Sequence, residues 1–111
     1  MKLYIGHVDT LEQVFWVTEI TATYDEKIKS YELVKPIHIS HLVTSKWIDE
    51  NELSKVKEFE SIDGGDSYVL ISKNKEEVES FVKTEFDAYK AKLLKNIENL
   101  EKNGIKRYYY D

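Results

Sequence analysis

Cysteine is absent from this chain of 111 residues, and proline and arginine occur only once each, as Pro36 and Arg107. The absence of cysteine excludes a disulfide scaffold, a zinc site built from thiolates and a cysteine nucleophile. No apolar run is long enough to span a membrane, and the first residues lack the apolar stretch of a signal peptide. We therefore expect a cytoplasmic protein that does not enter a membrane.

Positive charge is also scarce, because 21 acidic residues outnumber 16 basic ones and the net charge is −5. Proteins that bind a nucleic-acid backbone neutralise phosphates with lysine and arginine and release counterions. General nucleic-acid binding is therefore not expected. Apolar residues make up 41% and charged residues 33% of the chain. These proportions, together with the length, predict one globular domain spanning residues 1–111.

The first 72 residues are predicted to form mainly antiparallel sheet. Their β-branched and aromatic residues cluster in the segments KLYIGHV, VFWVTEITATY and IKSYELVK, which predict a three-stranded meander. In the second segment Trp16, Ile20 and Ala22 alternate onto one face of the strand. Pro36 has no backbone N–H, so it ends the third strand or lies at a sheet edge.

The middle of the chain is less regular. Residues 37–43 fit a fourth strand, and Asp49 with Glu52 has the spacing of a capping box that opens a short helix. The segment FESIDGGDSYVLIS then predicts a β-hairpin whose turn is Asp63–Asp66. The overall prediction for this half is a meander plus a hairpin, with one short helix between them.

Residues 74–103 predict one long helix, which makes the fold class α+β. Asn74 is a suitable N-cap, and Gly104 suits the position after the last turn. Apolar residues recur every three or four positions at Val78, Val82, Phe86, Tyr89, Leu93, Ile97 and Leu100.

This helix would be about 43 Å long, whereas a compact domain of this size has a radius of gyration of about 13 Å. Leu93, Ile97 and Leu100 would then extend beyond the sheet and need another surface. We expect a homo-oligomer formed through the helix. A bent or broken helix that returns to its own domain is the alternative.

The histidines and acidic turns do not predict a catalytic or metal site. His38 and His41 are three residues apart, so on a strand they point to opposite faces, and His7 stands alone. Asp63–Asp66 is interpreted as a hairpin turn rather than a calcium loop, which would need more ligands. No serine, histidine and aspartate arrangement has a recognisable context. We therefore expect a protein that is not an enzyme and has no metal or cofactor.

The last residues, 105–111, are the main candidate for ligand binding. Arg107 offers a planar fork of donors that matches a phosphate and stacks on aromatic rings. Tyr108 and Tyr109 add flat rings and hydroxyl groups. The alternative is structural, since tyrosine favours strands and this segment would then pair with a sheet edge. The two interpretations are compatible, because a terminal strand would hold Arg107 and Tyr109 on one face.

Phe81 completes the predicted ligand-binding set of Arg107, Tyr108, Tyr109 and Phe81. With Trp16 and Trp47 it would also form a second aromatic platform. The alternative for these large aromatic residues is a place in the hydrophobic core.

In layout the chain resembles the first Thoeris anti-defence family of small phage proteins. The segments that carry the resemblance are VFWVTEITATY, EEVESFVKTEFDAYKAKLL and IKRYYYD. The resemblance implies a protein that binds a cyclic ADP-ribose signal made by bacterial TIR-domain enzymes, in pockets formed between protomers. Such a protein sequesters the signal without cleaving it, in the cytoplasm of the infected bacterial host.

The expected function is therefore anti-defence sequestration of a cyclic nucleotide by a homo-oligomer. The alternative is a protein–protein inhibitor of a bacterial defence system, similar to an anti-CRISPR protein. It would act through its acidic surface or its long helix.

Overall fold

The computed structural model describes residues 1–39, 42–60 and 66–105. It confirms an α+β fold, with an antiparallel sheet followed by one long helix. The strands are β1 (Lys2–Asp9), β2 (Val14–Asp25), β3 (Ser30–Ile39), β4 (Leu42–Asp49), β5 (Lys57–Glu60) and β6 (Asp66–Ser72), and the long helix is α1 (Lys75–Asn103). The predicted Asp63–Asp66 turn lies mostly outside the described residues.

The six strands form one antiparallel sheet in the order β4-β3-β2-β1-β6-β5. The meander and the hairpin are both confirmed, and the hairpin joins the sheet through β6 beside β1. The edge strands β4 and β5 follow one another in the chain, joined only by residues 50–56. In this connection Ser54 N donates a hydrogen bond to the Ile71 carbonyl at 2.8 Å. Lys73 Nζ, just after β6, also lies 5.4 Å from the ring centroid of Tyr31 on β3, with β1 and β2 between these strands. The sheet therefore curls, and the face that carries Tyr31 is concave.

The predicted short helix is a single 3-10 turn, Glu50–Glu52. Asp49 caps it as predicted, since its side chain accepts a hydrogen bond from Asn51 N at 2.8 Å. The side chain of Glu52 instead forms an ion pair with Lys57 at 2.8 Å. The connection is therefore tied to both edge strands.

Pro36 lies within β3 and does not end it, so β3 continues to Ile39. The fourth strand is therefore Leu42–Asp49, and the prediction of a strand at residues 37–43 is wrong. The ladder between β2 and β3 runs only from the pair Asp25–Ser30 to the pair Ala22–Leu33. Pairing with β4 is also irregular around Pro36. The proline thus occupies a stretch of strand whose edge toward β2 is unpaired, where its missing N–H costs no ladder hydrogen bond.

The concave face of the sheet holds the main hydrophobic core. Trp16 packs at its margin, and the predicted face of β2 is confirmed because Ile20 and Ala22 are buried there. The buried members of this core are Leu3, Ile5, Ile20, Ala22, Tyr31, Leu33, Ile48 and Val69. Since β1, β2, β3, β4 and β6 all contribute to it, this core fixes the curl of the sheet.

Helix α1 covers the other, convex face with its first half only. Val78 and Val82 are buried there, and a Cβ placed on Gly6 of β1 would come within 2.8 Å of each of them. Glycine at this position therefore allows the helix to approach the strand closely.

Both ends of α1 lie at the predicted residues. Asn74 Oδ1 accepts hydrogen bonds from Glu76 N at 2.9 Å and Glu77 N at 3.4 Å. At the other end Gly104 has φ 60°, and its N–H donates to the Leu100 carbonyl at 2.9 Å. Within the described ranges, no helix combines the length and apolarity that crossing a membrane requires.

The second half of α1 projects beyond the sheet. The helix is continuous from Lys75 to Asn103, so the alternative of a helical break is wrong. Apart from partly buried Tyr89, every residue from Asp87 to Ile105 is exposed. The radius of gyration is 19.1 Å and the longest dimension is 75 Å, well above a radius of about 13 Å for a compact domain. We call residues 90–103 the free half of the helix.

Candidate ligand-binding site

Three of the four predicted ligand-binding residues, Arg107, Tyr108 and Tyr109, lie outside the described residues. The choice between a pocket and a terminal strand at 105–111 therefore stays open. Ile105, the last described residue, follows the helix stop and is fully exposed. The chain thus leaves the helix at its distal tip, far from the concave core.

Phe81, the fourth predicted residue, lies partly buried between α1 and β1. Its Cδ1 would be 3.6 Å from a Cβ on Gly6, so it packs on the convex face. Trp16 lies on the concave face, where its ring meets His7 edge to face with centroids 5.2 Å apart. The sheet separates Phe81 from Trp16, so the predicted platform shared by Phe81, Trp16 and Trp47 is wrong. Trp16 instead packs against the hydrophobic core, which was the alternative prediction.

A cluster of aromatic residues lies where α1 leaves the sheet. The rings of Phe15 and Phe86 meet edge to face with centroids 5.2 Å apart, and the centroids of Phe15 and Tyr89 are 5.8 Å apart. Gln13 Nε2 donates a hydrogen bond to the Tyr89 hydroxyl oxygen at 3.1 Å. These groups border a cleft of about 370 Å³, here called the aromatic cleft, lined by Gln13, Phe15, Phe86, Tyr89, Lys90 and Leu93.

The positions of these residues follow from the local fold. The turn between β1 and β2 carries Gln13 with φ 58°, and β2 then directs Phe15 to the convex face together with Val17. Phe86 follows buried Val82 by one helical turn. The periodicity of the helix marked Phe86 as apolar, but only the fold places it beside Phe15 at the margin of the sheet.

The electrostatics of the aromatic cleft differ from those of the chain as a whole. Among the described residues, Lys90 is the one charged residue that lines it, since Lys92 and Lys95 lie on other sides of the exposed helix. The phenol of Tyr89 accepts from Gln13 and retains its own hydrogen for a further acceptor. The cleft therefore combines flat rings, a hydroxyl donor and one lysine, which suits a ligand with an aromatic ring and an anionic group.

A second cavity of about 320 Å³ lies where β3 parts from β2. Its rim carries Glu19 and Lys35, and its walls are Ile5, Trp16, Thr18, Ile20 and Pro36. The opposite charges on the rim favour neither an anion nor a cation. We therefore give the aromatic cleft precedence as a ligand site.

His7 forms a third polar feature, on the concave side of β1. It is 3% exposed, and its Nε2 lies 3.0 Å from Ser67 Oγ on β6. Burial lowers the pKa of His7 below its usual 6.5, while the nearby charges of Asp9 and Glu12 oppose this shift. Its Nδ1 has no hydrogen-bond partner in the described chain, so the carboxylate that orients a catalytic histidine is not in contact with it. We interpret the contact as a link between β1 and β6.

Metal binding has no support from the described ranges, where no three histidine or acidic side chains converge. A comparison with protein-family models, curated proteins and solved structures finds no match to this chain. The resemblance to the Thoeris anti-defence family therefore stays a prediction based on the three segments that suggested it.

Proposed function

We propose that this protein is a phage-type anti-defence protein that binds and sequesters a cyclic nucleotide resembling cyclic ADP-ribose without cleaving it. It would do so in the cytoplasm of an infected bacterial host. The observation that supports this proposal is the aromatic cleft, where Phe86 and Tyr89 adjoin the cationic Lys90. A nucleotide contains the two chemical features that these residues recognise, a flat base and negatively charged phosphates.

Size and charge support the same ligand class. The cleft has a volume of about 370 Å³, near the lower end of the roughly 300–1,000 Å³ that is usual for small-molecule sites. Lys90 lines the cleft in a chain whose net charge is −5. An anionic group bound in the cleft would therefore lie beside a positive charge.

Thermal-shift and calorimetric titrations with cyclic ADP-ribose, other cyclic nucleotides and ADP-ribose test the proposal. A ligand present at 100 times its dissociation constant adds about 2.7 kcal/mol to the free energy of unfolding, so stabilisation is readily seen. Chromatography of the released ligand should show that it is chemically unchanged. A cleaved product would contradict sequestration.

The variant Phe86→Ala should abolish this stabilisation by removing a ring of the cleft. Val56→Ala is the matched control, because Val56 is 51% exposed and Phe86 is 46% exposed, and Val56 does not line the cleft. The proposal fails if no nucleotide stabilises the wild type, or if both variants bind equally well.

Homo-oligomerisation is the second part of the proposal. Leu93, Ile97 and Leu100 are 38%, 51% and 70% exposed on the free half of α1. A continuous apolar stripe on a helix typically packs against another surface. A second copy of this chain would supply that surface and enclose the neighbouring aromatic cleft.

The alternative function, a protein–protein inhibitor of a bacterial defence system, is supported by the same exposed stripe. A host protein would then occupy Leu93, Ile97 and Leu100 in place of a second copy. Sedimentation of the purified protein separates the two. A self-associating protein that binds nucleotide supports sequestration, whereas a monomer that captures one host protein stoichiometrically supports inhibition.

A further inference from the structure

The two halves of α1 present the same face to different environments. At 3.6 residues per turn, Leu93, Ile97 and Leu100 lie within about 60° of Val82 around the helix axis. Val82 is buried against the sheet, whereas the other three are exposed. The sheet and any partner of the free half must therefore lie on the same side of the helix.

This shared face restricts how two copies can pair. A partner helix would pack about 8–10 Å from α1, in the layer that the sheet already occupies along the first half. If two helices paired in parallel through this face, both sheets would have to fit into the space between them. In an antiparallel pair the sheets lie at opposite ends and only the free halves face each other.

We propose that two copies of this chain pair antiparallel through residues 90–103, so that the helix tip of each copy covers the aromatic cleft of the other. This inference rests on the homo-oligomer of the proposed function and specifies its geometry. The nucleotide site would then be incomplete in a single copy.

The charges of the free half favour the same orientation. Lys90 near its start and Glu101 near its end flank the apolar stripe on the same side of the helix, about 80° and 100° from Val82. Antiparallel pairing places Lys90 of each copy within about 3 Å, along the axis, of Glu101 of the other, whereas parallel pairing sets the two lysines at one level and the two glutamates at another. The dipoles of two antiparallel helices also oppose each other favourably.

The length of the free half brings its tip to the cleft. Residues 90–103 span about 21 Å, so two free halves that overlap completely place the tip of one beside Lys90 of the other. Leu100 is 70% exposed and Ile105 is fully exposed. Both apolar side chains would then lie near Phe86 and Leu93 of the facing copy.

Spin-label distances test the orientation. The chain has no cysteine, so Lys83→Cys supplies a single labelling site on an exposed part of α1. Antiparallel pairing centred between positions 96 and 97 separates the two labels by about 40 Å along the axis. A parallel pair would hold them within about 20 Å. A short distance, or a protein that remains monomeric at tens of micromolar, would overturn the proposal.

Crosslinking tests the covering of the cleft. Gln13 hydrogen-bonds to Tyr89 beside the cleft, and Asn103 ends the helix. A short thiol-specific crosslinker should join Gln13→Cys to Asn103→Cys in a mixture of the two variants, and either variant alone should give little covalent dimer. Efficient crosslinking of Asn103→Cys to itself, or none in the mixture, would contradict the arrangement.

Neither experiment uses a nucleotide, so its outcome is independent of ligand binding. A protein that binds a nucleotide but gives the short spin-label distance overturns the antiparallel pair alone. An antiparallel dimer that no nucleotide stabilises overturns the proposed function and leaves the pairing intact.

Discussion

Gly6 of β1 lies directly under Val82 of α1, so a Cβ on Gly6 would stand 2.8 Å from Val82 Cγ2. Val78 Cγ1 would be equally close, and both valine side chains are stiff at χ1. The helix must therefore move to admit even one methyl group. This contact sets the distance between the helix and the sheet.

We predict that Gly6→Ala lowers the free energy of unfolding by about 1–3 kcal/mol through overpacking. The melting temperature should fall by roughly 5–15 °C, measured by thermal denaturation with circular dichroism. The double variant Gly6→Ala/Val82→Ala tests the cause, since it removes one of the two valine contacts with the new methyl and should recover part of the loss. Additive losses in the two single variants would show that the contact is not the reason.

The buried His7 predicts loss of stability in mild acid. Its folded pKa is below the 6.5 of the unfolded chain because burial disfavours the charged ring. The unfolded state then binds more protons, so the contribution of His7 is complete above pH 6.5 and declines as the pH falls below it. Urea unfolding between pH 7.5 and 5 should show this decline.

The control for this prediction is His7→Gln, which has no titrating ring and retains polar groups near Ser67. Its stability should change less over the same range, and the contributions of His38 and His41 cancel in the comparison. Parallel curves for the wild type and the variant would contradict the prediction.

The exposed stripe predicts that Leu93→Glu/Ile97→Glu dissociates the proposed oligomer. Two carboxylates at the contact would have to be buried without partners, so the dissociation constant should rise about 100-fold or more. Analytical ultracentrifugation measures this change, and circular dichroism should show an unchanged sheet. Ala91→Glu, on the opposite side of the helix, is the control and should leave the assembly intact.

Arg107 remains the sequence-based candidate for recognition of the anion. Arg107→Lys retains the charge but loses the bidentate, stacking guanidinium. Loss of such a contact costs about 1.5–3 kcal/mol, or roughly a 10- to 100-fold loss of nucleotide affinity. Calorimetric titration measures the affinity, and the melting temperature without ligand should be unchanged. Equal affinities would favour a structural role for the tail, and truncation before Ile105 should then lower the melting temperature.

The bounds of α1 could be predicted from residues that are close together in the sequence. Asn74, Gly104 and the apolar repeat act over a few residues through capping and helical periodicity, so its bounds follow from the sequence. Its length relative to the domain also predicted an exposed distal half, which the structure confirms. For the same reason the sequence predicts that Leu93 and Ile97 pack against a partner.

The aromatic cleft could not be predicted from the sequence, because residues from distant parts of the chain form it. Phe15 and Phe86 are 71 positions apart in the sequence, and no local pattern relates them. The prediction that Phe81 and Trp16 share an aromatic platform is wrong because the two rings lie on opposite faces of the sheet. Strand order and register decide such neighbours, and both depend on the collective packing of the core.

By itself the sequence determined the first two strands, the hairpin, the helix ends and the alternation of Trp16, Ile20 and Ala22 on one face. These properties depend on backbone preferences and on periodicity over a few residues. Only the tertiary structure decided that the sheet curls, that β6 lies beside β1 and that Pro36 occupies an unpaired stretch within β3. It also decided that Phe15 meets Phe86, because the convex face of β2 and the departing helix converge only once the chain has folded.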